Sequence, residues 1–403
     1  MNSLGIVMKN KSKIDWYLMI PYIFLCLFGI VMVYSASAGI GLSFGQGEAK
    51  TLAEKQTFYF IIGLGIIFCV NKFFFNKFFF KLILSHRFVI YLFGILMVAL
   101  LYVKLLGKTI NGAAGWISVG FFSLQPAEFC KFFFIIFFAF ILRKRQTTID
   151  MDGLGKSFKE NWQPLAIPGV ILFLIAVQPD MGGAIINFTI VFVMLLAATR
   201  SWKTLRACTI IIILLVPVFY FGIEFLAKHG QNIHNYQLQR IVAFYNPFLH
   251  AQTSGAQLIN SFYAVSNGGL FGRGLGNSIQ KMGYLPEANT DFILSIISEE
   301  FGLVGILFVL GLLYLMIVRM IKIGQRTNNL QYSSICYGTA AYLTIQTLFN
   351  AGGAIALVPL TGVALPFISY GGSSMFTLSI CFALVLKISS IEKQSRTQNN
   401  RRL

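Results

Sequence analysis

The sequence predicts an all-α polytopic membrane protein: about ten transmembrane helices, cytoplasmic N- and C-termini, and one large extracytoplasmic loop between helices 7 and 8. Three observations predict it. Of 403 residues, 56% are hydrophobic and 11% charged; a soluble domain carries about 25% charged residues, so a water-facing surface cannot be built from this chain. The apolar residues fall into runs of about 20, the length that crosses a bilayer's hydrocarbon core. Lys and Arg gather at alternate ends of those runs, as the positive-inside rule requires.

The runs cover residues 17–38, 57–75, 88–106, 124–142, 164–178, 183–199, 205–226, 292–318, 332–357 and 366–388. Lys9, Lys11 and Lys13 precede the first, and Ala36-Ser37-Ala38 closes it. That pattern imitates a secretory signal, but the run outlasts a signal's apolar core and reads as an uncleaved span. The second leads into Asn71–Lys81, a mixture of Phe and Lys that suits an interfacial segment or an ordinary positive anchor. The fifth is short and carries Pro164 and Pro168, so it reads as tilted, broken or re-entrant. From Glu392 the chain is polar and basic, a tail expected to be disordered, which leaves residues 1–391 as one transmembrane domain.

The charges support this layout. With the N-terminus inside, 23 of the 32 Lys and Arg lie on the inner side and eight on the outer, and Lys131 lies within a span. The net charge of +18 is therefore spread over membrane boundaries. A nucleic-acid-binding face would gather it on one polar surface, so no nucleic-acid partner is expected. All six cysteines sit in apolar runs without a CxxC pair, which reads as small buried hydrophobes and supports neither disulfides nor zinc. There is no internal repeat of the kind many transporters carry.

Chemistry concentrates around the one long loop, about 227–290, since long loops in compact folds are usually functional or disordered. It holds Lys228, Arg240, Arg273 and Lys281 against a single acid, Glu287, before Asp291 at the membrane edge. Such an excess of bases reads either as a phosphate cradle or as the freedom of a long loop from the positive-inside rule. The glycine-dense Gly268–Gly276 suits a phosphate-binding turn or, more simply, a tight backbone turn. It lacks the βαβ context of a dinucleotide fingerprint, and the chain has no Walker-type sequence. An activated substrate must therefore carry its own leaving group.

Acids near spans are functional hypotheses by default. Glu128 and Lys131 share a helical face and are expected to neutralise each other, fixing helix 4 or positioning a headgroup. Asp180 reads equally as a helix cap and as a ligand contact. Glu299 and Glu300 point about 100° apart on a helix, so one of them is expected to face any cavity. Asp291 is either a first-turn acid favoured by the helix dipole or a residue with a chemical role.

Several motifs then occur in order. They are Asn111-Gly112-Ala113 with Trp116-Ile117, Gln125-Pro126-Ala127-Glu128 with Lys131, and Gln178-Pro179-Asp180-Met181-Gly182. Gly274–Ser278 with Lys281, Tyr284–Ala288 with Thr290-Asp291-Phe292, and Pro359–Gly362 leading to Pro366–Ser374 complete the set. Over almost its whole length the sequence resembles the SEDS family (shape, elongation, division and sporulation) of peptidoglycan glycosyltransferases. Ser278, Lys281, Tyr284–Glu287 and Thr361 resemble its division branch more than its elongation branch. Three positions depart from the pattern. Ala114-Gly115 stand where an Arg is usual, Ala127 replaces a Ser and Asn289 replaces a His, so a headgroup role for that Arg and His fails here.

The resemblance implies a bacterial plasma-membrane enzyme at the division septum. Its substrate would be lipid II, a disaccharide-pentapeptide on undecaprenyl diphosphate, polymerised at the outer leaflet with inversion at the donor sugar. It implies Asp291 as the essential acid, a general base or the ligand of a divalent cation (Mg or Mn). Arg240, Arg273, Lys281, Glu287, Trp116, Asp180, Ser369 and Ser373 would contact substrate, with Glu128, Lys131 and Glu300 in support. Ser369–Ser374 would open a groove for a lipid tail, or Gly371-Gly372 would allow close helix packing. A class B penicillin-binding protein and other division proteins are the implied partners. Rival readings are a lipid II flippase, which would use the intramembrane charges, and a non-catalytic division scaffold.

Overall fold

A computed structural model describes residues 14–39, 47–72, 82–110, 113–119, 122–144, 154–178, 180–198, 236–253 and 255–399, with isolated positions between 206 and 222. The seventh apolar run (205–226), Lys228, Asn111-Gly112, Pro179 and the Phe/Lys segment 73–81 lie largely or wholly outside the described residues.

The apolar runs are largely helical where they are described, residues 366–371 being non-helical. They form α1 (Trp16–Ala36), α2 (Glu48–Lys72), α3 (His86–Leu106), α4 (Pro126–Lys144), α5 (Leu154–Val177) and α6 (Met181–Ala198). After the long loop come α9 (Ile293–Arg326), α10 (Leu330–Ala354) and α11 (Gly372–Asn399). Among the described residues, five helices (α1, α2, α3, α9 and α11) are long and apolar enough to cross a membrane. Shorter apolar helices lie at Ala166–Val177 and Gly182–Leu196.

Four expectations are corrected. First, the chain is not wholly α: β1 (Lys108–Ile110), β2 (Ala113–Val119) and β3 (Phe122–Leu124) form an antiparallel sheet of order β1-β2-β3. Trp116, Ile117 and Val119 favour a pleated surface. Second, of the three readings of the fifth run the broken one fails, since α5 is one continuous helix through Pro164 and Pro168. Third, α11 runs to Asn399, so residues 392–399 are not an unstructured tail. Arg396 Nε donates to Glu392 Oε1 at 2.9 Å one turn away, and Lys393 pairs with Asp15 at 3.3 Å. Fourth, the long segment before α9 is not all loop. It builds α7 (Tyr236–Tyr245), a 3₁₀ turn (Pro247–His250) and α8 (Ala256–Gly268).

The core centres on α4, whose residues Cys130–Ala139 are all buried. A ring cluster joins α1 to α11: Tyr22 stacks on Phe382 at 4.8 Å and meets Phe367 edge-on at 5.1 Å. At one end of the bundle, fully buried Asp15 binds Arg319 (2.7 Å) and Ser389 Oγ (2.6 Å), tying the start of α1 to α9 and α11. The sheet, α7, α8 and the N-terminus of α9 gather at the other end.

Candidate active site

The site is built on a broken helix. Gly302 interrupts α9 with φ 66° and ψ −162°, which leaves carbonyls unpaired on one side and amides on the other. The glycine-dense segment supplies the missing partners. Arg273 N–H and Gly274 N–H donate to the Glu299 and Glu300 carbonyls (both 2.9 Å), while Leu303 and Val304 N–H donate to the Gly269 and Leu270 carbonyls. Backbone must approach backbone here: a Cβ on Gly272, at φ +79°, would lie 2.2 Å from the Glu300 carbonyl oxygen. The segment is therefore a tight crossing, and its phosphate-turn reading is set aside.

Asp291 stands just before the first half of α9, outside its N-cap Phe292. Its main chain is pinned from several elements. Asn350 Nδ2, on α10, donates to the Asp291 carbonyl (2.9 Å) and to that of Val363 (2.8 Å). Ser369 Oγ donates to the Thr290 carbonyl at 2.6 Å, Tyr370 N–H donates to the Asn289 carbonyl, and Asn289 Nδ2 donates to Ser37 Oγ at the C-terminal end of α1. Glu287 takes the left-handed region at φ 56°. Its carbonyl receives the Thr290 and Phe292 N–H groups, and its Oε2 receives the Thr290 hydroxyl at 2.9 Å.

The electrostatics of Asp291 follow from this packing. Part of its surface is open, yet protein surrounds the carboxyl, and this burial is the largest cause of a pKa raised to about 7. The Glu287 charge raises it further, against Arg240 and the Thr290 hydroxyl, which lower it. Arg240 on α7 and Asp291 meet across Gly362, where an added Cβ would lie 3.4 Å from both Arg240 Nη1 and Asp291 Oδ2.

A second carboxylate lies along the same segment. Asp180 Oδ1 caps α6 by accepting Gly183 N–H (2.7 Å), and Oδ2 accepts Gln125 Nε2 (2.9 Å). A Cβ on the neighbouring Gly182 would strike the Thr361 carbonyl. Residues Thr361-Gly362 thus run between the Asp180 and Asp291 neighbourhoods. Burial raises the Asp180 pKa, with the Glu128 charge adding to it, against the Gly183 N–H bond.

The remaining residues divide by where their groups point. Trp116 is half-buried on β2, its Cα paired with Lys108. Arg273 is exposed. Glu128 pairs with buried Lys131, and Tyr342 Oη donates to Glu128 Oε2 at 3.1 Å, as a neutralised structural pair should. Two expected substrate contacts are corrected. Ser369 and Ser373 spend their hydroxyls inside the protein, Ser369 on Leu365 N–H and the Thr290 carbonyl, Ser373 on Gln125 N–H and the Ser123 carbonyl. A third is corrected for Lys281. It turns inward and is buried, with Nζ 2.6 Å from Glu300 Oε1 and 2.9 Å from Ser35 Oγ. A fourth correction concerns the paired glutamates, since both Glu299 and Glu300 are buried and engaged. Glu299 accepts Ser278 Oγ, Gln280 N–H and Asn267 Nδ2. Sequence reasoning missed Asn350, whose one signal was a polar amide inside an apolar run.

Among the described residues no group of three or more His, Cys, Asp or Glu side chains is placed to hold a metal ion. Asp291 lies within electrostatic reach of Glu287, and one or two carboxylates can hold Mg²⁺ together with substrate phosphates.

Comparison with known proteins places this arrangement. Residues 16–394 match the family model described as "Cell cycle protein", which covers FtsW, RodA and SpoVE. The chain is 34% identical over 397 residues to the "Probable peptidoglycan glycosyltransferase FtsW" of Bacillus subtilis (strain 168), covering 98% of this chain and 94% of that one. It is 35% identical over 401 residues to the protein of that name from Lactococcus lactis, covering 96% and 94%. It is 33% identical to the stage V sporulation protein E of Bacillus subtilis, covering 94% and 98%. In fold it is similar to a chain of a peptidoglycan synthase complex described for its coordination of polymerization and crosslinking. That match has a TM-score of 0.68 and 23% identity, covering 95% of this chain and 100% of that one. Thermus thermophilus RodA matches with a TM-score of 0.59 and 23% identity, covering 93% and 96%.

Proposed function

The chain belongs to the cell cycle protein family of FtsW, RodA and SpoVE, and from that membership we propose that it is a peptidoglycan glycosyltransferase of the division type, polymerising lipid II at the outer leaflet. The observation that carries the reading is a half-buried carboxyl, Asp291, with a pKa near 7 and an arginine beside it. A general base works best when its pKa lies near the operating pH, and a carboxylate close to a helix N-terminus would otherwise be a weak one. Burial and Glu287 resolve that conflict.

Asp291 takes the proton from the acceptor sugar hydroxyl as that oxygen attacks the donor's anomeric carbon. The bond from that carbon to the diphosphate breaks on the opposite face, with inversion. Arg240 and Arg273 stabilise the negative charge growing on the diphosphate. In the alternative to its role as base, Asp291 would hold a Mg²⁺ or Mn²⁺ ion, which would supply further charge neutralisation. With ten spans and both termini inside, this end of the bundle would face outward, and at the septal membrane a class B penicillin-binding protein would receive the strand.

The test is glycan-chain formation from labelled lipid II by the purified protein and its partner transpeptidase in detergent. The wild type should polymerise and Asp291→Asn should not. Normal polymerisation by Asp291→Asn refutes the site assignment. A wild type that moves lipid II across vesicles yet never joins it refutes the enzyme reading in favour of a flippase.

A further inference from the structure

Lys281 and Glu300 form a sealed pair: their side chains are 2% and 0% exposed. Ser35, on α1, donates to the same Glu300 Oε1 at 2.7 Å and receives Lys281 Nζ. One turn further on, Gly39 packs so closely that an added Cβ would overlap the Lys281 carbonyl. The neighbouring Glu299 grips the preceding residues, Ser278 and Gln280, through its other face. Two adjacent glutamates at the end of α9's first half thus hold the stretch 278–281 from two sides, and the main chain of the same residues holds 273–274. Ten residues separate Lys281 from Asp291, and that span is itself fastened to α1 at Asn289–Ser37.

We propose that Glu300, Lys281 and Ser35 are positioning residues: their buried triad fixes the loop carrying Asp291 against α1 and the broken helix, and Lys281 acts through Glu300 and does not touch the diphosphate. The proposal rests on the glycosyltransferase reading above. Breaking a buried pair leaves one charge uncompensated, whereas replacing both members with neutral groups of similar volume is tolerated. A lysine that bound phosphate would behave differently, since its loss could not be repaired from Glu300.

The experiment is a double-substitution cycle in the lipid II polymerisation assay with the full-length chain and its partner. Lys281→Met alone and Glu300→Gln alone should each lower the rate at least about tenfold, and the double Lys281→Met/Glu300→Gln should return it to within about threefold of wild type. A double variant that is well folded and as inactive as Lys281→Met overturns the proposal and restores the phosphate contact. Ser35→Ala gives an independent arm without a buried charge. It should speed deuterium exchange across residues 278–292 and slow polymerisation several-fold, and unchanged exchange and rate would equally overturn the triad. Inactivity of the wild type in the same assay instead marks failure of the glycosyltransferase reading, while the exchange result still reports on the triad.

Discussion

Glu287→Gln is the most direct probe of why Asp291 ionises near neutrality. The glutamine keeps an oxygen to accept the Thr290 hydroxyl and removes the negative charge that raises its neighbour. The carboxyl moves from 3.8 to about 7 in the folded protein, with burial the larger cause and Glu287 second. Removing a like charge at this range lowers a pKa by about one unit. An ionised base at pKa about 7 is about one-tenth populated at pH 6, and at pKa about 6 it is about half populated. The variant should therefore gain up to about fivefold in base-competent enzyme at pH 6, and lose modestly on the alkaline plateau because its base is weaker. The assay is kcat/KM for lipid II polymerisation from about pH 5 to about pH 9, a profile that reports groups of the free enzyme. The acid limb of wild type should bend near pH 7 and that of Glu287→Gln lower. A limb that stays in place, or moves to higher pH, refutes both the assignment of Asp291 as base and the account of its environment.

Asp291→Asn should raise the melting temperature while abolishing turnover. The folded pKa lies above the unfolded value, so ionisation opposes folding; the gain should be full above about pH 7 and vanish below about pH 3.8. Thermal unfolding at two pH values checks this. Arg273→Ala, an exposed change, should slow polymerisation several-fold with little effect on expression or melting, read by paired rate and melting measurements. Lys131→Met strands Glu128 beside Tyr342 and should cost about 3–5 kcal/mol of stability, seen as a lost yield of monodisperse protein. Gly272→Ala places a methyl group against the Glu300 carbonyl at a left-handed φ and should destabilise by more than about 1 kcal/mol, visible first as faster deuterium exchange at residues 299–304.

Much of this was legible because lipid solvent writes a coarse code. Spans of about 20 apolar residues and boundary lysines can be read without knowing any contact, and the described helices lie on those runs, although α2 and α5 begin well before them and α9 and α11 end well after. Asp291 drew attention for the same reason, being a carboxylate at the edge of an apolar run. What stayed hidden was direction. Lys281 and Arg273 lie eight residues apart in one basic loop, and composition treats them alike, yet one is buried on Glu300 and the other faces out. Glu299 and Glu300 looked like competitors for one cavity, because helical geometry points neighbours apart. A loop that wraps the helix end meets both. The small sheet was missed because three- and seven-residue strands leave a pattern too short to separate from a loop.

The two ends of α1 have a dimensional consequence. Asp15 at its foot binds Arg319, and Ser35 near its tip binds Glu300, so α1 and α9 run antiparallel and are stapled at two levels. The matching stretch of α9 includes the break at Gly302, while twenty residues separate the staples along α1, which at 1.5 Å per residue is about 30 Å. That is also the thickness of a bilayer's hydrocarbon core. Neither helix can slide past the other without breaking a buried charge contact, so the protein carries an internal ruler matched to its solvent. A thinner or thicker membrane must tilt the pair as one body, and Asp291, just before the half-helix that carries Glu300, moves with that frame.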